Sequence, residues 1–355
     1  MRYLITGLDD QMVELSVFGG MWKRDADGDV VDLSGLVSVS GLADAHIHVS
    51  SDRPDFVPSD PARIRERLVT ELEGGVFLCL DKGWSDNGVL AVMDDPLEAR
   101  PALRAAGSIV AGIGGYYPGA VSEVAPDDLA SVVASHPRAG GWVKIIGDWP
   151  KRGQGAPPAF GVESLRAAVE AAHARDLRVS IHTMAPDTPS IAVEAGVDSV
   201  EHGLYLTDDD IRALGARGGA WVPTVRQVER VIEEVGPERT GGRLLRTGLD
   251  RVRSLASHAT AAGVTVLAGS DFGTAQGRIG VEAIGLVEYG FTPADALRAV
   301  TSAAYGYVGE PYGFEPGFSA DVVSFEHHPH ERIETLSDPV FVMRRGRVLL
   351  DRRTG

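Results

Sequence analysis

The sequence predicts an α/β fold, a (β/α)8 TIM barrel with a small β-sandwich domain formed by both chain termini, and three observations carry that prediction. Between residues 41 and 311, apolar β-branched runs alternate with amphipathic Ala/Arg/Glu-rich stretches, as strand-then-helix units do. Short strand-like runs broken by Gly and Asp occupy both chain ends, with too few at either end to make a stable sheet alone. The length of 355 residues exceeds an ordinary small domain, whereas α/β barrels use about 250 residues or more as one unit.

Taken in order, 3–6, 12–18 and 30–33 read as strands before the turn-forming Ser34-Gly35. Their expected partners are 321–325, 339–343 and 347–350 near the other end, with Arg345-Gly346 as the hairpin turn. The composite β domain is therefore placed at 1–40 and 312–355, and the barrel at 41–311. Barrel strands are predicted at 42–48, 76–80, 108–113, 142–146, 178–182, 198–202, 220–224 and 264–270, each followed by a loop and a helix such as 162–175 or 249–262. A doubly wound open sheet is the competing architecture. It would normally bear a phosphate-binding glycine fingerprint; Gly112-Ile113-Gly114-Gly115 has the wrong spacing, and no Gly-Lys-Ser/Thr motif exists.

Composition narrows the function. Apolar residues make up 44% of the chain, yet no apolar run is long enough to span a bilayer. No long apolar leader follows Met1, so a cytoplasmic protein without a membrane partner is expected. A formal charge of −16 opposes polyanions, so no nucleic-acid partner is expected either. Cys79 is the only cysteine, which excludes an internal disulfide and a thiolate-rich metal cluster; its apolar neighbours point to core packing. Only Lys23, Lys82, Lys144 and Lys151 are lysines among 34 basic residues, so a lysine inside an apolar strand stands out.

Gly41-Leu42-Ala43-Asp44-Ala45-His46-Ile47-His48-Val49 is the stretch around which the rest is organised. In a strand, side chains alternate faces, so His46 and His48 point the same way and can grip one metal ion. A helix would turn the two imidazoles about 200° apart. In a barrel, chemistry sits at the C-terminal ends of the strands. His46, His48, Lys144, His182, His202 and Asp271 all fall at or near such ends and meet at one mouth. Imidazole and carboxylate donors without thiolate suit Zn²⁺, with Mn²⁺, Co²⁺, Ni²⁺ or Fe²⁺ as alternatives. An ammonium would repel these cations. A desolvated, neutral Lys144 amine can instead react with CO2 to give a carbamate whose two oxygens bridge two metals. His136, His173, His258, His327, His328 and His330 fall on helices or outside the barrel and are left out of the site.

These motifs, with Glu201-His202-Gly203, Ala268-Gly269-Ser270-Asp271 and Glu315-Pro316-Gly317 through Asp321, resemble the metal-dependent amidohydrolase superfamily, in its imidazolonepropionase-like and prolidase-type branch. The resemblance implies a buried ion held by His46, His48 and Asp271, a more exposed one held by His182 and His202, and carboxylated Lys144 between them. It further implies a metal-bridging hydroxide as nucleophile, with Asp271 passing its proton to the leaving amine. The expected reaction is hydrolysis of an amide or related C–N bond in an N-acyl amino acid, dipeptide or cyclic amide. The chain departs from its relatives at Val39-Ser40-Gly41-Leu42, where Pro-Gly-Leu is usual, and over 300–305. Lys144 speaks against imidazolonepropionase activity itself, which needs no lysine there. A mononuclear deaminase of a heterocycle is the alternative, and a catalytically silent metal-binding relative the third.

The partner expected is a small-molecule substrate, with a homo-oligomer left open. Loops after the strands set specificity in a barrel. Lys82 and Trp84 after the second strand, Tyr116 after the third, Tyr205 after the sixth, and Arg226 in a segment (225–247) expected over the mouth are the substrate-contact candidates. The aromatics would hold an apolar part, and Lys82 and Arg226 a carboxylate.

Overall fold

The computed structural model describes residues 1–24, 28–51 and 60–353. Eight parallel strand positions close into a barrel: Leu42–Ile47, Val76–Asp81, Ala102–Ala105, Trp142–Ile146, Arg178–Thr183, Ser199–His202, Ala220–Val222 and Thr265–Val266. Continuous ladders join the first three strands and the last five. Single bridges complete the ring, Ala105 to Gly141 between the third and fourth and Ile47 to Asp271 between the eighth and the first. The barrel thus has no open edge to protect.

The layers follow from side-chain alternation. Ala43, Ala45, Leu78, Leu80, Ala220, Val222 and Leu267 cluster inside the ring. Ile47, Cys79, Val143, Ile145, Val179, Ile181 and Val200 face the helices. In the fourth strand Val143 and Ile145 therefore point out and Lys144 in, with period 2. Helix starts are specified locally. Asp60 caps Pro61–Glu73 by accepting from Arg63 N, and Thr207 with Asp210 forms a reciprocal capping box ahead of Asp208–Ala216.

Three expectations about the barrel need correction. The third strand, expected at 108–113, begins earlier at Ala102–Ala105; a second piece, Val110–Gly112, pairs with the fourth strand instead. Gly107, at φ +62°, turns the chain between the pieces, where a side chain would meet Asn87. After the second strand comes only a short 3-10 turn, Gly88–Val92, rather than a helix. The eighth strand is regular only at Thr265–Val266; beyond it the chain leaves its ladder and reaches across to the first strand, Ala45 N donating to Ala268 O.

Two four-stranded sheets flank the barrel, and the expected pairing needs correction: the N-terminal strands make one sheet among themselves, and only Val37–Val39 joins the C-terminal strands in the other. One orders Met21–Lys23, Met12–Phe18, Arg2–Thr6 and Val30–Leu33; the other orders Arg347–Asp351, Phe341–Arg344, Val322–Phe325 and Val37–Val39. Tyr3, Ile5, Leu15, Trp22 and Leu33 from one pack with Val322, Phe341 and Met343 from the other, so each sheet buries a face the other needs covered. Arg345 and Gly346 turn the last hairpin with φ of +51° and +81°, the pair of positive angles a two-residue turn of matching twist requires. Among the described residues no helix is long and apolar enough to cross a membrane.

Candidate metal centre at the barrel mouth

His46 and His48 reach the mouth by a route that simple alternation does not provide. Asp44 pairs with Cys79 and Ile47 with Asp81, so the first strand has one residue more than the second over that interval. Ala45 points in and Ile47 out. The extra residue, a bulge, lets His46 join His48 on the inner side. Asp44 ties the bulge to the eighth strand position, its Oδ1 accepting from His46 N at 3.1 Å and Ser270 N at 3.0 Å.

Close packing of the bulge depends on Gly269. A Cβ there would lie 2.3 Å from His46 Cβ and 2.9 Å from His46 N, neither of which can swing away. Gly269→Ala is expected to cost about 1–3 kcal/mol through forced backbone displacement and to weaken metal retention. Thermal unfolding alongside metal analysis would read both; an unchanged melting temperature and metal content would contradict the fit described.

In the sixth strand Ser199 and Glu201 face inward while Val200 faces the helices, so His202 should follow Val200 outward. It does not. Its φ of +62° breaks the alternation, and its ring lies 4.6 Å from the His182 ring and 5.3 Å from that of His46. Thr224 at +47° and Asp271 at +49° share this left-handed backbone. Such angles are costly for side-chain-bearing residues, and three of them gather around one group of imidazoles.

The imidazole tautomers follow from their partners. His48 Nδ1 lies 2.7 Å from Gly83 O, which can only accept, so Nδ1 carries the hydrogen. Thr224 Oγ1 donates to Pro223 O and therefore accepts from His202 Nδ1, at 2.6 Å. His46 Nδ1 sits 2.6 Å from Glu201 Oε2. Each of these three rings is left with its lone pair on Nε2. That is the way outer partners orient metal-binding histidines. His48 Nε2 is 3.4 Å from Asp271 Oδ1, His46 Nε2 is 4.0 Å from Asp271 Oδ2, and His202 Nε2 is 2.9 Å from His182 Nδ1. Ligand atoms of His46, His202 and Asp271 fall within 4.8 Å of one another, close enough to hold one metal ion.

The electrostatics favour neutral donors. Burial, reinforced by the Lys144 charge, holds His46 and His202 well below the usual imidazole range and brings His48 and His182 down to about 3. Lys144 Nζ is buried and has no hydrogen-bond partner among the described residues. Burial brings its pKa down to about 8, against the pull of Glu201. An amine so placed is costly to keep charged, and the donor set around it fits divalent cations.

Glu201 was not expected in the site. Its carboxylate is fully buried, accepts from Ser180 Oγ and Ser199 Oγ, touches His46, and pairs with Lys82 Nζ at 3.2 Å. Burial raises its pKa, but Lys82, His46 and Lys144 outweigh burial and hold it well below the carboxylate range. Its signal was present in the sequence as an acid two residues after an inward serine on a barrel strand. Asp148, in the loop after the fourth strand, accepts from the backbone of Met184 and Ala185, 3.9 Å from His182 Nε2.

Over these groups lies a cavity of about 370 Å³ walled by Tyr116, Tyr117, Trp149, Phe272, Leu244 and Leu245 among others. Of the five loop residues expected to meet substrate, Tyr116 lines it. Lys82 does not, being turned inward beneath the histidines, with Trp142 4.7 Å from its Nζ. Trp84 is buried behind His48 and Phe272. Tyr205 donates to Leu244 O, and Arg226 is committed to Glu229 and Glu288, each at 2.8 Å. The 225–247 segment does cover the mouth, as helix Val225–Val235 and the start of helix Thr240–Ala261. His136, His173, His258 and His328 have backbone or surface-carboxylate partners.

Residues 37–349 match the Amidohydrolase family. An uncharacterized protein of Mycobacterium tuberculosis is 32% identical over 349 residues, 96% of this chain and 92% of that one. Ochratoxinase of Aspergillus niger is 31% identical over 195 residues, 51% of this chain and 39% of the enzyme. Among solved structures, a Xaa-Pro dipeptidase with bound methionine superposes with a TM-score of 0.79 at 20% identity, covering 98% of this chain and 99% of the other. The A. niger ochratoxinase structure gives 0.77 at 19% identity, covering 100% and 96%. At these identities the structural likeness speaks for the fold alone.

Proposed function

The chain belongs to the Amidohydrolase family, and from that premise we propose that it hydrolyses an amide or related C–N bond using divalent metal held at the barrel mouth. The observation that carries this reading is the convergence of four neutral imidazoles, Asp271 and the unpartnered Lys144 amine beneath an apolar cavity. His46, His48 and Asp271 would hold one ion, His182 and His202 a second, and Lys144, as a carbamate, would lie between them. Nitrogen and oxygen donors without sulfur favour Zn²⁺, with Mn²⁺, Co²⁺, Ni²⁺ and Fe²⁺ as alternatives. Bound there, the ions supply Lewis-acid polarisation of the scissile carbonyl and a water acidic enough to attack it near neutral pH.

The protein's own groups do the rest. Glu201, Gly83 O and Thr224 keep the lone pairs of His46, His48 and His202 aimed at one region. Phe272 stacks on His48 at 4.9 Å and shields it from water. Asp271, beside His46 and His48, takes the proton from the attacking water and delivers it to the departing nitrogen as the C–N bond breaks.

Asp271→Asn keeps the shape and removes the base, so kcat/KM on any accepted amide should fall about 10²- to 10⁴-fold. A panel of amides, carbamates and lactones assayed with Zn²⁺- or Mn²⁺-loaded protein, wild type against variant, tests this. Hydrolysis unaffected by the substitution would remove Asp271 from the chemistry, and absence of turnover across the panel would oppose the hydrolase reading. Because His46, His202 and Asp271 lie close enough to share one ion, a mononuclear deaminase is the second reading. One metal per chain rather than two would favour it.

A further inference from the structure

The wall of the cavity limits what kind of substrate can enter. Tyr116 and Trp149 meet at 4.5 Å between ring centroids, Tyr117 and Trp149 at 4.9 Å, and Trp149 lies 5.9 Å from the His182 ring. Phe272 faces them from the other side, stacked on His48. Aromatic surface therefore runs right up to two of the imidazoles that face the reacting centre.

Charge is distributed just as unevenly. Among the described residues, the one ammonium or guanidinium on this wall is Lys144, at the floor. The acids Asp148 and Glu234 also line the wall. Arg230 does not line this cavity, its Nε donating to Glu234 at 2.9 Å and its Nη1 to Phe272 O at 2.7 Å. Among the described residues of the wall above the floor, a substrate carboxylate would meet aromatic faces and the like charges of Asp148 and Glu234, with no cationic side chain beside it.

One neutral polar group does face the cavity. Gln227 is 4% exposed, sits in the first turn of helix Val225–Val235, and has a buried Oε1 with no hydrogen-bond partner among the described residues. A carboxamide both donates and accepts, so it pairs with an amide, carbamate or ureido group and has no preference for an anion. Leaving it unpaired in an apolar pocket is unfavourable, which makes it a discriminating contact.

We infer that the cavity takes an uncharged aromatic amide or carbamate, its ring seated among Tyr116, Trp149 and Phe272 and a polar group of the substrate paired with Gln227. This rests on the hydrolase reading above, and it departs from the carboxylate-bearing substrate expected from Lys82 and Arg226. Gln227 is then a specificity-determining residue rather than part of the chemistry.

The test compares N-(4-methylphenyl)acetamide, its 4-carboxyphenyl counterpart and the N-cyclohexyl analogue, using the full metal-loaded chain. The neutral aromatic amide should exceed the carboxylated one by about 100-fold in kcat/KM and the cyclohexyl one by about 10-fold. Gln227→Leu should raise KM about 10-fold with kcat within about threefold, since a uniform binding contact is lost. In parallel, binding of the three compounds to metal-free and metal-loaded protein is followed by quenching of Trp149 fluorescence, with Trp149→Phe as the control for that signal. Equal or better hydrolysis of the carboxylated amide, or an unchanged KM in Gln227→Leu, overturns the inference while leaving the hydrolase reading intact. If no compound is hydrolysed but the neutral aromatic one binds tightest and Gln227→Leu weakens it, the ligand preference assigned to the cavity stands and the hydrolase reading falls. No preference in binding, with no hydrolysis, removes both.

Discussion

Lys144→Ala is expected, on the two-ion reading proposed above, to leave one bound metal ion per chain or fewer and to reduce kcat/KM by at least about 10³-fold, the scale on which metal-assisted sites lose activity when charge stabilisation is removed. The physical reason lies in the position of the amine. Val143 and Ile145 anchor the strand in the outer core, so Lys144 points into the ring and cannot reach solvent. Its pKa, brought down by burial to about 8, leaves a far larger neutral fraction at pH 7 than an ordinary lysine near 10.4 would have. A neutral amine is the form that takes up CO2. Reconstitution of metal-free protein should therefore be faster and more complete with added bicarbonate, and Lys144→Ala should not respond to it. Metal analysis on gel-filtered protein reads the stoichiometry, and intact mass under native conditions reads the added CO2. Two tightly held ions and full activity in Lys144→Ala would refute the bridging role.

Glu201 offers the second large effect, this time on folding. Glu201→Ala leaves Lys82 buried without its carboxylate and takes away the group beside His46 Nδ1. Breaking a buried pair from one side typically costs about 3–5 kcal/mol, and losing an outer partner of a metal-binding histidine costs about 10- to 100-fold in metal affinity. The double substitution Glu201→Gln with Lys82→Met removes both charges, so it should recover much of the stability while metal affinity stays low. Denaturant unfolding of the single and double variants gives the coupling; additive losses would show that Lys82 and Glu201 do not act as a pair.

Much of the barrel was legible because its signals are local. Apolar β-branched runs, helix caps and turn glycines each act within a few residues, so alternation of strand and helix could be read along the chain. The third strand was misplaced because Val110–Gly112, though apolar, pairs with the fourth strand rather than the second, a choice made by residues outside either segment. Arg226 and Lys82 were assigned to the substrate on charge alone. Arg226 pairs with Glu229 one helical turn on, a local partner, and with remote Glu288, while Lys82 pairs with remote Glu201; the two remote ion pairs exist only in the closed fold.

The sequence by itself determined the strand-then-helix order and that His46, His48, Lys144, His182, His202 and Asp271 fall toward one end of the barrel, since strand polarity is a property of the chain. Tertiary structure alone decided how two of those donors turn toward the others. His46 reaches the inner face through a bulge that Gly269 makes room for, and His202 through a left-handed backbone angle that Thr224 and the neighbouring rings sustain. It also decided which charges face the cavity. A bulge or a strained angle is set by what packs against it from distant strands, and no local pattern of residues encodes that contact.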